Sequence, residues 1–411
     1  MAATSPCGTV DWTKLPEDVL TRIFGLIPFS QRNVLMSVCR KWREVMSLKS
    51  MWANIVYTIP DDRAGPSVHM INIAKQFGHY HRNVTVKLTC ADQVHRKLAI
   101  QLLRTLSDVR PRSIEHFKFE VVGYKTIFYT ADDFGTSVAY FLSQQTSQED
   151  EQVKPLISIQ LQRAHISINE DILKSLHLNH GSTLTYVNLQ ISNFPCCIKP
   201  DKMTEAVSQM ANLRDLRVTY CSINEATLNV LTDNKFFRHL SLLYHKCKDG
   251  PDYTPIGHAD WITFHKGNGK RLVTVVVQYD YPRFMVPDIF NKNKFISNLL
   301  FELPVDQEML TLMHNSRNTL TKITVSSYAI GDISSALISL ITQCRRLKTM
   351  YLRYLPAEEV RKQILNRRPN LKHNMELSTR IQLRLPPEDV LLEPEDDTCL
   401  AVWATNRNEM L

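Results

Sequence analysis

The sequence predicts an α/β chain: an all-helical module at the amino end, then a curved parallel-sheet solenoid with outer helices. Three observations predict it. Residues 16–27 carry apolar side chains at helical spacing behind a Leu-Pro and an acidic pair. An apolar triplet at i, i+3 and i+5 then recurs along the rest of the chain. Helical patterns fill most of the intervals between the triplets, though none is read at 243–271 or 278–295, so strand and helix alternate.

The module opens with Trp12, Leu15-Pro16-Glu17-Asp18 and Val19-Leu20. Proline suits the first helical position, where its missing N–H has no intrahelical partner. Glu17 and Asp18 favour the positive end of the helix dipole. Val19, Leu20, Ile23, Phe24, Leu26 and Ile27 form the apolar face, and Pro28 stops the helix. Ser30 is placed to cap a second helix with apolar positions Val34, Leu35, Val38, Trp42 and Val45. About 45 residues lie near the lower limit for independent stability. These helices are apolar on more than one side, so the surplus face needs a cover.

The triplets are Ile114/Phe117/Phe119, Leu156/Ile159/Leu161, Leu184/Val187/Leu189, Leu213/Leu216/Val218, Phe237/Leu240/Leu242, Leu272/Val275/Val277, Ile296/Leu299/Phe301, Leu320/Ile323/Val325 and Leu347/Met350/Leu352. A weaker first copy centres on Val84 and Val86, with His81 in the leading slot. A short parallel strand turns two alternate residues inward, and the leading residue lies under the preceding turn. No copy buries that face alone, so stacking must supply the core. Asp or Asn opens several of the intervening helical patterns as a plausible cap, as at Asn169, Asn224 and Asp306. A doubly wound sheet is the competing arrangement, but no GxGxxG or GxxxxGK[ST] marks a phosphate-binding turn.

Composition narrows the function classes. The net charge is +8, with +3 in residues 1–58, −6 in 386–411 and +11 between them. The basic residues are scattered rather than interleaved with aromatics, so nucleic acid is an unlikely partner. Nine cysteines with no CxxC fit a reducing compartment, the cytosol or nucleus, and no metal-ligand spacing. Cys196 and Cys197 read as ordinary loop thiols, and Cys221 as packed in a turn. His79 and His81 read as surface or linker residues rather than ligands. No stretch reaches the roughly 18 apolar residues of a membrane span, and the opening residues carry no basic and apolar signal pattern. No HExxH, GxSxG or calcium-loop motif is present. No cofactor and no catalytic residue is expected.

The opening unit resembles the F-box family. The residues that carry the likeness are Leu15-Pro16-Glu17-Asp18, Val19-Leu20-x-x-Ile23-Phe24, Val38-Cys39-Arg40-Lys41-Trp42, and Leu48 with Trp52. The middle triplet positions lie 42, 28, 29, 24, 35, 24, 24 and 27 residues apart. Most fall in or beside the window of roughly 20–29 residues of leucine-rich repeats. Leu213-Arg-Asp-Leu216-Arg-Val218-Thr-Tyr-Cys221 fills that pattern through its cysteine. Stretches at 52–78 and 212–245 are similar to F-box only proteins.

The resemblance implies domains at 10–58 (F-box), 59–79 (linker), 80–385 (degenerate leucine-rich repeats) and 386–411 (acidic tail). It implies a non-catalytic substrate-recognition subunit of a Skp1–cullin–F-box ubiquitin ligase. Skp1 would dock on Leu15, Pro16, Val19, Leu20, Ile23, Phe24, Val38 and Trp42, and cullin would join through Skp1. A protein substrate would meet the concave face, at Tyr186, Asn188, Asp215, Arg217, Tyr351 and Arg353, with His116, Lys118 and Lys322 beside them. The tail would cap the last repeat through Val402 and Trp403, or cover the basic concave face. A Skp1-bound scaffold without cullin and a basic nucleic-acid-binding repeat protein are the alternatives.

Overall fold

The computed structural model describes residues 14–27, 31–59, 67–88, 93–121, 133–144, 154–161, 168–190, 198–246, 256–267, 271–353 and 357–371. Ser30, Cys196, Cys197 and the tail from 372 onward lie outside them.

Four short helices come first: α1 (Glu17–Gly25), α2 (Arg32–Val38), α3 (Arg40–Met46) and α4 (Lys49–Trp52). Pro16 stands one residue before α1 rather than inside it. The single helix expected over 31–45 is two, because Cys39 is extended at φ −157° and ψ 170°. No proline or glycine signals that break. It places Val38 and Trp42 on different helices and lets α3 pack on α1. Leu20, Phe24, Val45, Met46, Met51 and Trp52 are buried together. Buried Arg32 donates to the carbonyls of Gly25, Ile27 and Met51. It thereby takes up carbonyls at the end of α1 that have no intrahelical donor.

Among the described residues eleven strands follow: β1 (Asn54–Ile59), β2 (Asn83–Leu88), β3 (His116–Val121), β4 (Ser158–Gln160), β5 (Tyr186–Asn188), β6 (Asp215–Thr219), β7 (His239–Tyr244), β8 (Leu272–Val277), β9 (Asn298–Phe301), β10 (Lys322–Val325) and β11 (Thr349–Leu352). They form one parallel sheet in chain order, β1 to β11. A doubly wound sheet reverses its strand order at a switch point, and this one never does. The helices between strands are α5 (Ser67–Phe77), α6 (Gln93–Asp108), α7 (Asp133–Ser143), α8 (Glu170–His180), α9 (Pro200–Ser208), α10 (Glu225–Asp233), α11 (His258–Lys266), α12 (Val286–Lys292), α13 (Gln307–Met313) and α14 (Ser334–Gln343), with α15 (Glu358–Arg367) after β11. Consecutive helices touch along the layer. The architecture is an α/β solenoid of the leucine-rich-repeat kind.

The expected middle positions stand side by side. Phe117, Ile159, Val187, Leu216 and Leu240 are in register across β3 to β7, as are Leu299, Ile323 and Met350 across β9 to β11. All are buried, and each such side chain removed from water is worth about 1.5–3 kcal/mol. Asn169, Asn224 and Asp306 cap their helices by accepting from the amides of Ile172, Thr227 and Met309. Cys221 is buried in the turn after β6, as expected.

Three expectations are corrected. The stretch 59–79 is no linker: it holds the last residue of β1, the helix α5 and part of a 3₁₀ turn. The solenoid therefore starts at 54, inside the end of the helical module, and β1 is a further copy before those expected. Leu272 does not occupy a buried leading slot. Other leading residues precede their strands, whereas Leu272 is the first residue of β8 and faces outward, exposed. Leu240 pairs with Val273 but Leu299 pairs with Val275, so β8 shifts the ladder by two residues. Buried Arg271 lies beside this shift and donates to the carbonyls of Phe264 and Thr232.

His81 is the third correction: it is wholly buried, not a surface residue. Its Nδ1–H donates to the Trp52 carbonyl at 2.8 Å, so Nε2 accepts from the Tyr57 hydroxyl, also at 2.8 Å. Burial lowers its pKa to about 4, against the pull of the Trp52 carbonyl. Trp52 stacks on Phe77 at 4.0 Å between ring centres, with the planes 2° apart. The helical module and the first repeat thus share one core.

Candidate protein-interaction surfaces

Two surfaces emerge, one at each structural unit. On the helical module, Leu20 and Phe24 are buried, and Trp42 packs edge-on against Phe24 at 4.8 Å. Leu20 and Phe24 therefore pack in the module's own core. Leu15, Val19 and Ile23 are half-buried, while Pro16 and Val38 are exposed. The Lys41 ammonium donates to the Leu15 carbonyl at 2.7 Å and fixes the chain entering α1. Leu26, Val34 and Val38 are exposed to 86%, 65% and 54%; of these only Val38 belongs to the expected docking set. They lie at the end of α1 and along α2, and uncovered aliphatic groups on so small a unit mark an interaction face.

On the sheet, register brings the expected polar residues into rows. Asp215 of β6 lies between Tyr186 of β5 and His239 of β7, and Arg217 between Asn188 and Ser241. Arg217 donates to both Asp215 oxygens, at 3.1 and 3.2 Å, and its guanidinium lies over the Tyr186 ring at 5.1 Å. His239 Nδ1 meets Asp215 Oδ2 at 2.8 Å, and its Nε2 meets the Thr274 hydroxyl at 2.8 Å. Asn298 then donates to Thr274, and Thr321 to Asn298. Burial opposes ionisation of Asp215, but the hydrogen bonds from His239 and Arg217 outweigh it and hold its pKa below the usual carboxylate value. Burial raises the Tyr186 hydroxyl pKa.

This ladder ties β5 to β10 laterally. It also commits Asp215 and Arg217 to each other. Asn188 is buried in the sheet. Lys118 and Lys87 both pair with Glu120. Tyr351 is half-buried under Lys322, at 5.4 Å, and Arg353 is exposed.

Apolar contact surface lies instead at the strand-end edge of the later repeats. Tyr279, Phe284, Tyr328 and Ile330 are exposed there, Phe284 to 84%. Arg283 joins the loop after β8 to the Pro304 carbonyl and Asp306, and Val305 bridges Ala329. These loops therefore form one edge. Aromatic residues so placed are the common anchors of protein interfaces. The apolar triplet marks strands alone, so these loop residues carry no such signal in the sequence.

Comparison with known proteins bears on the helical module first. Residues 12–58 match the F-box-like family model. The chain carries an F-box-like domain. Over 361 residues, it is 22% identical to F-box/LRR-repeat protein 21 of Bos taurus, covering 84% of this chain and 77% of that protein. The Mus musculus and Ovis aries proteins of the same name are each 20% identical over the same shares. Among the described residues, no helix is long and apolar enough to cross a membrane.

Proposed function

We propose that this F-box protein is the substrate-recognition subunit of a Skp1–cullin–F-box ubiquitin ligase, non-catalytic in itself and working in the cytosol or nucleus. The observation that carries the reading is the uncovered aliphatic face of Leu26, Val34 and Val38 on the F-box-like domain. Skp1 covers that face, with Pro16, Val19 and Ile23 along its border, and links the chain to a cullin.

The protein substrate binds the sheet side of the solenoid. Its apolar anchors meet Tyr279, Phe284, Tyr328 and Ile330, with Tyr351 and Arg353 adjoining, while the Asp215–Arg217–His239 ladder keeps the sheet rigid beneath. The shared core at Trp52 holds the substrate at a fixed offset from Skp1. Holding the substrate near the ubiquitin carrier makes transfer nearly intramolecular, and the gain depends on that fixed geometry. Within the family, the stretches at 52–78 and 212–245 look like F-box only proteins thirty-nine and thirty-three, respectively, and we place the chain near them.

The test is co-purification of the full chain with Skp1 and a cullin. Val34→Asp with Val38→Asp puts two charges on the proposed interface and should abolish both associations in a folded protein. Skp1 retained without any cullin would identify a scaffold instead. Nucleic-acid binding with steep salt dependence and no Skp1 would refute the reading.

A further inference from the structure

The helix-end edge of the last repeats carries a charge that the fold does not use. An open groove is lined by Arg317, Asn318, Thr342, Gln343, Arg345 and Arg346. A second groove shares Arg317 and Asn318 with it and adds Lys294, His258 and His314. Among the described residues, no carboxylate lines either groove. Basic groups near helix C-termini often serve the terminal carbonyls, but that role is already filled here. Arg368 donates to the carbonyls of Cys344, Arg345 and Leu347. The His314 and Ser316 carbonyls accept from the amides of Arg317, Thr319 and Leu320. Arg317, Arg345 and Arg346 are exposed and make no ion pair with a described carboxylate. Their field reaches their neighbours. After burial itself, Arg346 depresses the His265 pKa and Arg317 that of His314.

The chain supplies a complement. Residues 388–397 hold Glu388, Asp389, Glu393, Glu395, Asp396 and Asp397 with no Lys or Arg among them. The described structure ends at Leu371, three residues after Arg368, which itself holds the groove wall at Arg345. The 17 residues from 371 to 388 reach up to about 55 Å when extended. We propose that the acidic segment 388–397 docks in cis on the arginine groove of Arg317, Arg345 and Arg346. The concave face is the poorer seat, since Arg217, Lys118 and Lys87 there already face carboxylates. A tether of this length gives an effective concentration on the order of 1 mM, so even a contact of about 0.1 mM intrinsic Kd is roughly tenfold occupied. Docking of the segment on the groove needs no Skp1 and is independent of the adaptor function.

The test is cleavage of the full chain by a Glu-specific protease at low salt, scored at Glu388 and Glu395. Cleavage should be about tenfold slower than in the Arg317→Glu/Arg345→Glu/Arg346→Glu chain, with the difference collapsing at high salt as screening shortens. The milder Arg345→Gln/Arg346→Gln chain should fall between, with unchanged circular dichroism in both. Equal rates in all three chains would overturn the proposal. So would protection that rises with protein concentration, which would put the segment on a second copy. Binding of a short RNA to the groove that deletion of 386–411 does not strengthen would assign the groove to nucleic acid and overturn it too.

Discussion

Trp52 is where the helical module and the solenoid become one body, and Trp52→Ala tests that directly. The side chain is wholly buried, stacks on Phe77 at 4.0 Å, and donates from Nε1 to the Met46 carbonyl. Truncating a buried tryptophan costs about 3–5 kcal/mol through lost transfer energy and the cavity left behind. The stacked pair itself accounts for about 0.5–1.5 kcal/mol beyond area. Loss of the indole also leaves the Met46 carbonyl without its side-chain donor. Urea unfolding should be followed by far-ultraviolet circular dichroism, which reports the whole chain, and by a probe on the helical module. The wild-type traces should coincide. Trp52→Ala should lower stability by about 4 kcal/mol on both probes. Phe77→Ala should be costly too, and the double variant should cost less than the sum by about 1 kcal/mol, as expected for residues in contact. A loss below about 1 kcal/mol, or module and solenoid probes that separate in the wild type, would refute the shared core.

Other predictions follow from named contacts. His81 has a folded pKa of about 4 against an ordinary 6.5, so it is neutral when folded and takes up a proton more readily when unfolded. Its contribution is complete above pH 6.5 and is lost as pH falls towards 4. It amounts to on the order of 3 kcal/mol, and urea midpoints across that window in wild type and His81→Gln would show it as a flatter profile in the variant. Arg271→Ala leaves the Phe264 and Thr232 carbonyls without their buried donor and should destabilise the chain by about 2–4 kcal/mol, read as a lower thermal midpoint. Phe284→Ala with Tyr328→Ala should leave stability within about 0.5 kcal/mol, since both are exposed. The same pair should weaken capture of cellular clients at least tenfold, measured by proximity labelling with wild type as reference.

Much of the solenoid was legible because its signal is local and repeated. A triplet such as Leu213/Leu216/Val218 shows in one glance which residues turn inward, and stacking then follows. β1 fits the spacing as Trp52/Ile55/Tyr57, but Trp52 closes α4 and reads as the end of the helical module, which hides the copy. α11 and α12 escaped because their apolar positions are few and interrupted by histidine, proline and aspartate. Leu272 fitted the spacing but not the pleat, and only the neighbours' register exposes the two-residue shift at β8. At the candidate site the limits were different. Sequence spacing cannot separate Leu20, which the module keeps for its own core, from Val34, which it leaves bare. Nor can it show that Asp215 and Arg217 neutralise each other, since both sit on polar positions whichever partner they choose. The loop aromatics Tyr279 and Phe284 carry no periodicity at all, and only the stitching of adjacent loops gathers them onto one edge.

The central claim is that the bare face of the F-box-like domain exists to bind Skp1. Isothermal titration of purified full-length chain with Skp1 tests it most directly. The account predicts a one-to-one complex at micromolar concentrations or below, with a negative heat-capacity change as Leu26, Val34 and Val38 leave water. No heat and no complex at micromolar concentrations, from a chain whose circular dichroism shows it folded, would contradict it.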